Sequence, residues 1–185
     1  MSAQMDLLYL KTTGHVLGGF TRVGEPKKLE TTATAFTGDS LLVNGIGDSS
    51  VANFNQRPKL IIPGDQIGLF RADLDPGLLA QPRNFGLINR DTVPALQPNS
   101  SKRPSATAPP NSTISLPGAE VAARDLQVTV VLEGQSLGDP VVLPPTVIPS
   151  TKSSCNVTFP SVAPGTYFLL IFVETYSIEA SEFNI

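Results

Sequence analysis

Apolar residues fall on alternate positions through Asp125–Glu133, where Leu126, Val128, Val130 and Leu132 share one parity. That alternation predicts a strand with one buried face. A denser signal follows at Tyr167–Val173, an unbroken apolar run rich in aromatic and β-branched residues, with Pro164-Gly165 before it and Glu174 after it. A run so short, bounded by turn and charged residues, predicts a strand covered on both faces. The rest of the C-terminal third reads as material packed around it. Val141–Leu143, Val147-Ile148, Cys155–Phe159 and Ser177–Ile185 are short strands, and Gly134–Pro140 is loop.

The N-terminal part repeats the theme. Asp6–Lys11 and His15–Val23 predict a hairpin about Thr13-Gly14, with Leu8 and Leu10 on one face. Gly18-Gly19 within the return strand marks a bulge or a close backbone approach. Thr31–Thr37 and Leu41–Val43 predict strands on either side of Gly38-Asp39. Lys59–Ile62 and Gln66–Ala72 flank Pro63-Gly64-Asp65, a turn signal that predicts a second hairpin. Asp73–Gly77 turns again, and Phe85–Asn89 closes the region.

Between the two regions the pattern stops. Thr92–Gly118 holds Pro94, Pro98, Pro104, Pro109, Pro110 and Pro117 amid Ser, Thr and Asn, with Lys102-Arg103 its only charges. Such a composition predicts an extended linker. The expected organisation is therefore an N-terminal β domain over 1–91, a linker over 92–118 and a C-terminal β-sandwich over 119–185. The class is all-β: two small sandwich or barrel modules joined by a Pro-rich linker.

Composition sharpens this. With 17 prolines and 15 glycines in 185 residues there is little room for long helices. Charged residues are only 16%, so the surface is dressed in Ser, Thr and Asn or covered by neighbours. A net charge of −3 without a basic block gives a nucleic-acid partner no electrostatic support. The acidic excess gathers after residue 118, where two basic residues face seven acidic ones. No apolar run approaches the ~20 residues of a spanning helix, so no membrane span is expected. A single cysteine, Cys155, and no secretory pattern at the N-terminus predict a cytoplasmic protein, or one held in a particle assembled there.

Candidate chemistry is sparse. Gly38-Asp39-Ser40-Leu41 matches by letters the nucleophile block of a family of esterases, but the single histidine, His15, lies upstream of the serine. Asp73-Leu74-Asp75-Pro76-Gly77 imitates the start of a calcium loop without its later oxygen ligands, and reads as an Asp-capped turn. Gly45-Ile46-Gly47 lacks a third glycine and a following helix. Asn99, Asn111 and Asn156 open glycosylation triplets that read as ordinary polar loop sequence. Glu174, Glu179 and Glu182 read as charges that keep a sheet edge from pairing. No catalytic, cofactor or metal set is expected.

Two resemblances add to this. The Pro164-Gly165-Thr166-Tyr167 approach resembles the penultimate-strand signature of bacterial immunoglobulin-like and carboxypeptidase-regulatory-like modules, which implies a fold and no activity. The opening Asp6-Leu-Leu-Tyr-Leu-Lys-Thr-Thr-Gly-His15 resembles small β-rich accessory subunits of phage-tail-like contractile injection particles. That likeness implies a non-enzymatic structural subunit, a homo-oligomer or a component docked on other subunits of one assembly. In that setting the six linker prolines are the expected assembly contacts. The alternative is a module that binds carbohydrate or peptide through the loops of the C-terminal sandwich.

Overall fold

The computed structural model describes residues 4–21, 33, 37–44, 59–90, 93–134, 137, 140–160 and 162–185. Within them the chain is all-β, with one short helix. The first hairpin pairs β1 (Gln4–Leu10) with β2 (Val16–Thr21), and the register slips between Leu8 and Tyr9. Leu17 is the extra residue, so the bulge lies beside the Gly18-Gly19 pair that marks it in sequence. A β-carbon on Gly19 would meet Leu7 Cδ2 at 2.8 Å, which explains a glycine there.

β3 (Ser40–Asn44) pairs with β4 (Lys59–Pro63), whereas β5 (Ile67–Asp73) pairs with β1. This corrects the second hairpin. Gly64–Gln66 forms a 3-10 turn, with the Gly64 amide on the Asp39 carbonyl at 2.8 Å, and carries the chain from one sheet into another. The candidate strand Thr31–Thr37 lies outside the described residues except for Ala33 and Thr37. Asp75 caps helix α1 (Pro76–Ala80), its Oδ1 accepting from the Gly77 and Leu78 amides at 2.8 and 3.3 Å.

The largest correction concerns 92–118. β6 (Phe85–Arg90) pairs along its length with β7 (Val93–Pro98), and β8 (Ser105–Ala106) and β9 (Asn111–Ser115) enter a further sheet. Pro94 and Pro98 are four residues apart, so both missing N–H groups fall on one side of β7. The odd-numbered residues keep the donors that face β6, and the Asn99 amide continues the series onto the Asn84 carbonyl at 2.7 Å. Prolines spaced evenly on a strand with one neighbour are compatible with a ladder.

The C-terminal half is a sandwich. One sheet has the order β11 (Val141–Val142), β10 (Leu126–Gly134), β14 (Thr166–Val173), β15 (Glu179–Asn184), and β12 (Thr146–Ile148) also pairs with β10. The other has the order β13 (Ser154–Thr158), β9, β8. Between them lie Ile114, Leu116, Val128, Val130, Leu132, Val157, Leu169 and Ile171. Tyr167 is fully buried, and its hydroxyl donates to the Ala163 carbonyl at 2.6 Å, tying the strand to the Pro-Gly corner before it.

The opposite face of the β10–β14 sheet is covered as well. Val131, Leu170 and Phe172 pack against Leu8, Leu10, Leu17, Ile62 and Ile67 of the N-terminal half. The two-sided burial expected of Tyr167–Val173 thus comes from two different cores. A third cluster, around Met5, Leu7, Val16 and Leu78, belongs to the N-terminal half alone. Each large side chain fully buried this way contributes roughly 1.5–3 kcal/mol, so the shared cluster fixes how the halves sit together.

Candidate functional site

The polar groups that meet where the halves join form the most developed arrangement among the described side chains. The turn after β1 delivers Thr12, Thr13 and His15; the turn after β14 delivers Glu174, Thr175 and Tyr176. His15 is completely buried. Its Nε2 lies 2.8 Å from the Tyr176 carbonyl, which can only accept, so Nε2 carries the proton. Nδ1 is then the acceptor for the Thr13 hydroxyl at 2.9 Å. The ring meets Phe172 edge to face, with centroids 5.4 Å apart. Burial pushes the imidazole pKa down to about 4, against smaller upward pulls from the Tyr176 hydrogen bond and from Glu174. His15 is therefore a neutral latch near pH 7.

Thr175 takes φ +71, a left-handed backbone uncommon for a β-branched residue, and its carbonyl accepts from the Ser100 amide at 2.7 Å. The Ser177 hydroxyl donates to the Ser100 carbonyl at 2.7 Å, and the Ser177 amide donates to the Lys102 carbonyl at 3.1 Å. Thr12 and Thr129 hydroxyls meet at 2.7 Å across the same junction. At its rim Arg124 grips Glu174 with both terminal nitrogens, at 3.0 and 2.9 Å, which raises the guanidinium pKa. Lys102 and the Tyr176 hydroxyl both donate to Glu120, which lowers the carboxyl pKa, Lys102 first. Burial, with Glu120 second, raises that of Tyr176.

Beside this junction opens a groove of about 650 Å³, lined by Asn84, Phe85, Pro98, Asn99, Ser101, Arg103 and Ser177, among others. Arg103 Nη1 stands 3.9 Å from Glu179 Oε2. The sequence gives no hint of the groove, because its walls come from the paired ends of β6 and β7, the segments flanking them, and Ser177, far along the chain.

The six prolines singled out in sequence fall in different elements and differ in burial. Pro94 and Pro98 lie in β7, and Pro117 opens a 3-10 turn. Pro104 and Pro109 are buried against the chain itself, while Pro110, after a cis peptide bond, is exposed. Buried Pro104 and Pro109 are not placed to touch a neighbour. Ser40 begins β3 and is exposed, whereas both His15 ring nitrogens are engaged elsewhere, so this serine and histidine form no pair. Of the three glutamates, Glu174 is held by Arg124, Glu179 lies near Arg103, and Glu182 is exposed on β15. Sequence also hides the pair in which Arg71 donates from Nε and Nη2 to buried Asp6, at 2.9 and 2.8 Å, across β5 and β1.

Cys155 is half-buried in β13, and burial pushes its thiol up to about 11. The thiolate is the reactive form. At pH 8 alkylation by iodoacetamide is therefore expected to run at least tenfold slower than in the urea-unfolded chain. Equal rates in the two states, followed by intact mass, refute this.

Among the described residues no helix is long and apolar enough to cross a membrane, and no three metal-binding side chains cluster. No family model matches the chain, and no curated protein matches its sequence. Among solved structures, two variant forms of a superoxide reductase (neelaredoxin) from Ignicoccus hospitalis are 11% identical over 46% and 47% of this chain. They are covered to 79% and 80% of their own length, with TM-scores of 0.35 and 0.31. A third structure of that protein gives 9% identity over 47% of this chain and 80% of the other, with a TM-score of 0.29. A likeness at that level carries no argument about fold or activity.

Proposed function

We propose that the chain is a non-enzymatic structural subunit of a large protein assembly, docking on neighbouring subunits through its β modules. The observation that carries this reading is the outward face of the β13–β9–β8 sheet. Its three strands contain no charged residue. The cross-strand pairs Asn111↔Thr158, Thr113↔Asn156 and Ser115↔Ser154 set hydroxyls and amides side by side. Thr158 donates to Asn111 at 3.2 Å and Thr113 to Asn156 at 3.0 Å. Exposed sheet edges of free proteins are often protected by charges that keep other sheets away, and neither edge strand of this sheet carries one. A polar face without charges meets a partner with no ionic desolvation cost. The opening hairpin, similar to accessory subunits of phage-tail-like contractile injection particles, makes such a particle the assembly we favour. Homo-oligomeric and hetero-oligomeric docking both suit the face.

Light scattering of the native protein, with identification of what co-purifies from its source, tests the reading. A defined oligomer or a large particle is expected, and Asn156→Lys, on an exposed position, is expected to dissociate it without lowering the melting temperature by more than a few degrees. A monomer at all accessible concentrations, with nothing co-purifying, overturns it. The alternative, a module that binds carbohydrate or peptide, takes its support from the groove beside the junction rather than from the sandwich loops.

A further inference from the structure

We infer that the open edge of β13 pairs antiparallel with β13 of a second copy of this chain, about a two-fold axis at Asn156. The inference rests on the assembly reading and names one of its contacts. The inward side of β13 is fixed at both ends: the Leu116 amide donates to the Ser153 carbonyl and the Phe159 amide to the Pro110 carbonyl, both at 2.8 Å. Bonded and non-bonded pairs alternate along an antiparallel ladder. Cys155 and Val157 therefore exchange bonds with β9, while Ser154, Asn156 and Thr158 turn their N–H and C=O groups outward. Among the described residues no strand receives them. Asn156 and Thr158 are exposed.

Two other edges are guarded. β7 places Pro94 and Pro98 among its outward positions, and β15 carries exposed Glu182. β13 reads Ser-Cys-Asn-Val-Thr, with no charge, no proline and no slip in register. Such an edge accepts a strand, and its chemistry suits a copy of itself. Centred on Asn156, each Ser154 lies opposite the second copy's Thr158, and every outward N–H on either strand meets an outward C=O. The side chains match as well. Asn156 Oδ1 accepts from Thr113 at 3.0 Å, which leaves its amide N–H groups to donate across the axis. Thr158 donates to Asn111 at 3.2 Å and keeps lone pairs for the Ser154 hydroxyl opposite. On the other face half-buried Cys155 comes opposite the second copy's Val157, which carries the apolar core across the joint. The nearest charge along the chain, Lys152, is exposed four residues from the axis. At about 3.4 Å per residue the two lysines stand roughly 27 Å apart, well beyond the screening length of about 8 Å at physiological salt. The two-fold closes the contact on two subunits.

Disulfide trapping on the full chain, in a Cys155→Ser background, tests the pairing and its register. Asn156→Cys puts its thiols on the axis, at a Cα separation of about 5.5 Å for a hydrogen-bonded pair, within reach of a disulfide. Mild oxidation is expected to link it into a dimer at least tenfold faster than Thr158→Cys, an equally exposed position on the same edge whose two copies lie four residues out of register. A mixture of Ser154→Cys and Thr158→Cys chains is expected to link as well. In the otherwise native chain, Asn156→Pro removes an outward N–H and no inward one, as Pro94 and Pro98 do in β7. Sedimentation equilibrium is expected to show self-association weakened at least tenfold, with the melting temperature within a few degrees. Equal linking of Thr158→Cys and Asn156→Cys, or an Asn156→Pro chain that associates as tightly as the native one, overturns the inference. If the native particle persists through that failure, the assembly reading stands with its contacts elsewhere. A linked Asn156→Cys dimer from a chain that forms nothing larger and brings down no other subunit keeps the inference and overturns the assembly.

Discussion

Gly14→Ala is expected to unfold the N-terminal half. Gly14 sits at φ +74 in the turn between β1 and β2, and a β-carbon there would overlap the Leu87 carbonyl oxygen. The left-handed backbone alone costs an alanine about 1–2 kcal/mol. The overlap is with main chain, which cannot rotate aside as a side chain does. Moving Leu87 would also break its amide's bond to the Gly14 carbonyl at 2.8 Å and disturb the His15–Gly86 bridge next to it. A loss beyond ~4 kcal/mol is expected, in the range reached by few single substitutions, against a total stability of roughly 5–15 kcal/mol for a domain. Gly118→Ala is the control. It has φ +61 with nothing within 4 Å of the added carbon, so only the backbone term of about 1–2 kcal/mol should be seen. Urea midpoints of the two variants decide the matter, and equal losses would show that the Leu87 contact is not the cause.

The second large effect is a loss of stability in mild acid traced to His15. Because burial holds the folded imidazole at about 4 instead of 6.5, the unfolded chain takes up the proton first as pH falls. The stability from this group is complete above pH 6.5, declines between 6.5 and 4, and levels off below 4. A difference of that size corresponds to about 3 kcal/mol. Glu174 opposes the shift without cancelling it. His15→Gln is expected to lower stability at pH 7.5 by about 1–3 kcal/mol through the lost packing and hydrogen bonds, and to flatten the slope between pH 6.5 and 4.5. Urea titrations of both proteins at several pH values measure this. A slope unchanged in His15→Gln would assign acid sensitivity to the carboxylates.

Sequence made some of this readable because some signals are local. Tyr167–Val173 announces two-sided burial by composition alone, and Thr13-Gly14 announces its turn. Asp75 announces its capping role by preceding Pro76-Gly77. Segment 92–118 resembles a linker because its proline content is loud and its proline spacing is quiet: Pro94 and Pro98 leave the inward donors of β7 intact. The β4–β5 hairpin fails because Pro63-Gly64-Asp65 turns the chain out of one sheet and into another, a choice made by partners distant in sequence. The junction is illegible for the same reason. His15 finds its acceptor at Tyr176, 161 residues away, and nothing near His15 distinguishes a latch from an idle histidine. The groove is harder still, since its walls have no shared pattern.

The sheet of β10 and β14, covered on both faces, bears on synthesis of the chain. Leu8, Leu10, Leu17, Ile62 and Ile67 emerge from the ribosome well before Val131, Leu170 and Phe172, the residues that cover them. At roughly 5–20 residues per second, that apolar surface waits for seconds without its partner, longer than a small hydrophobic patch needs to find another chain. During those seconds a holding chaperone has the same surface to occupy that the finished protein later hides.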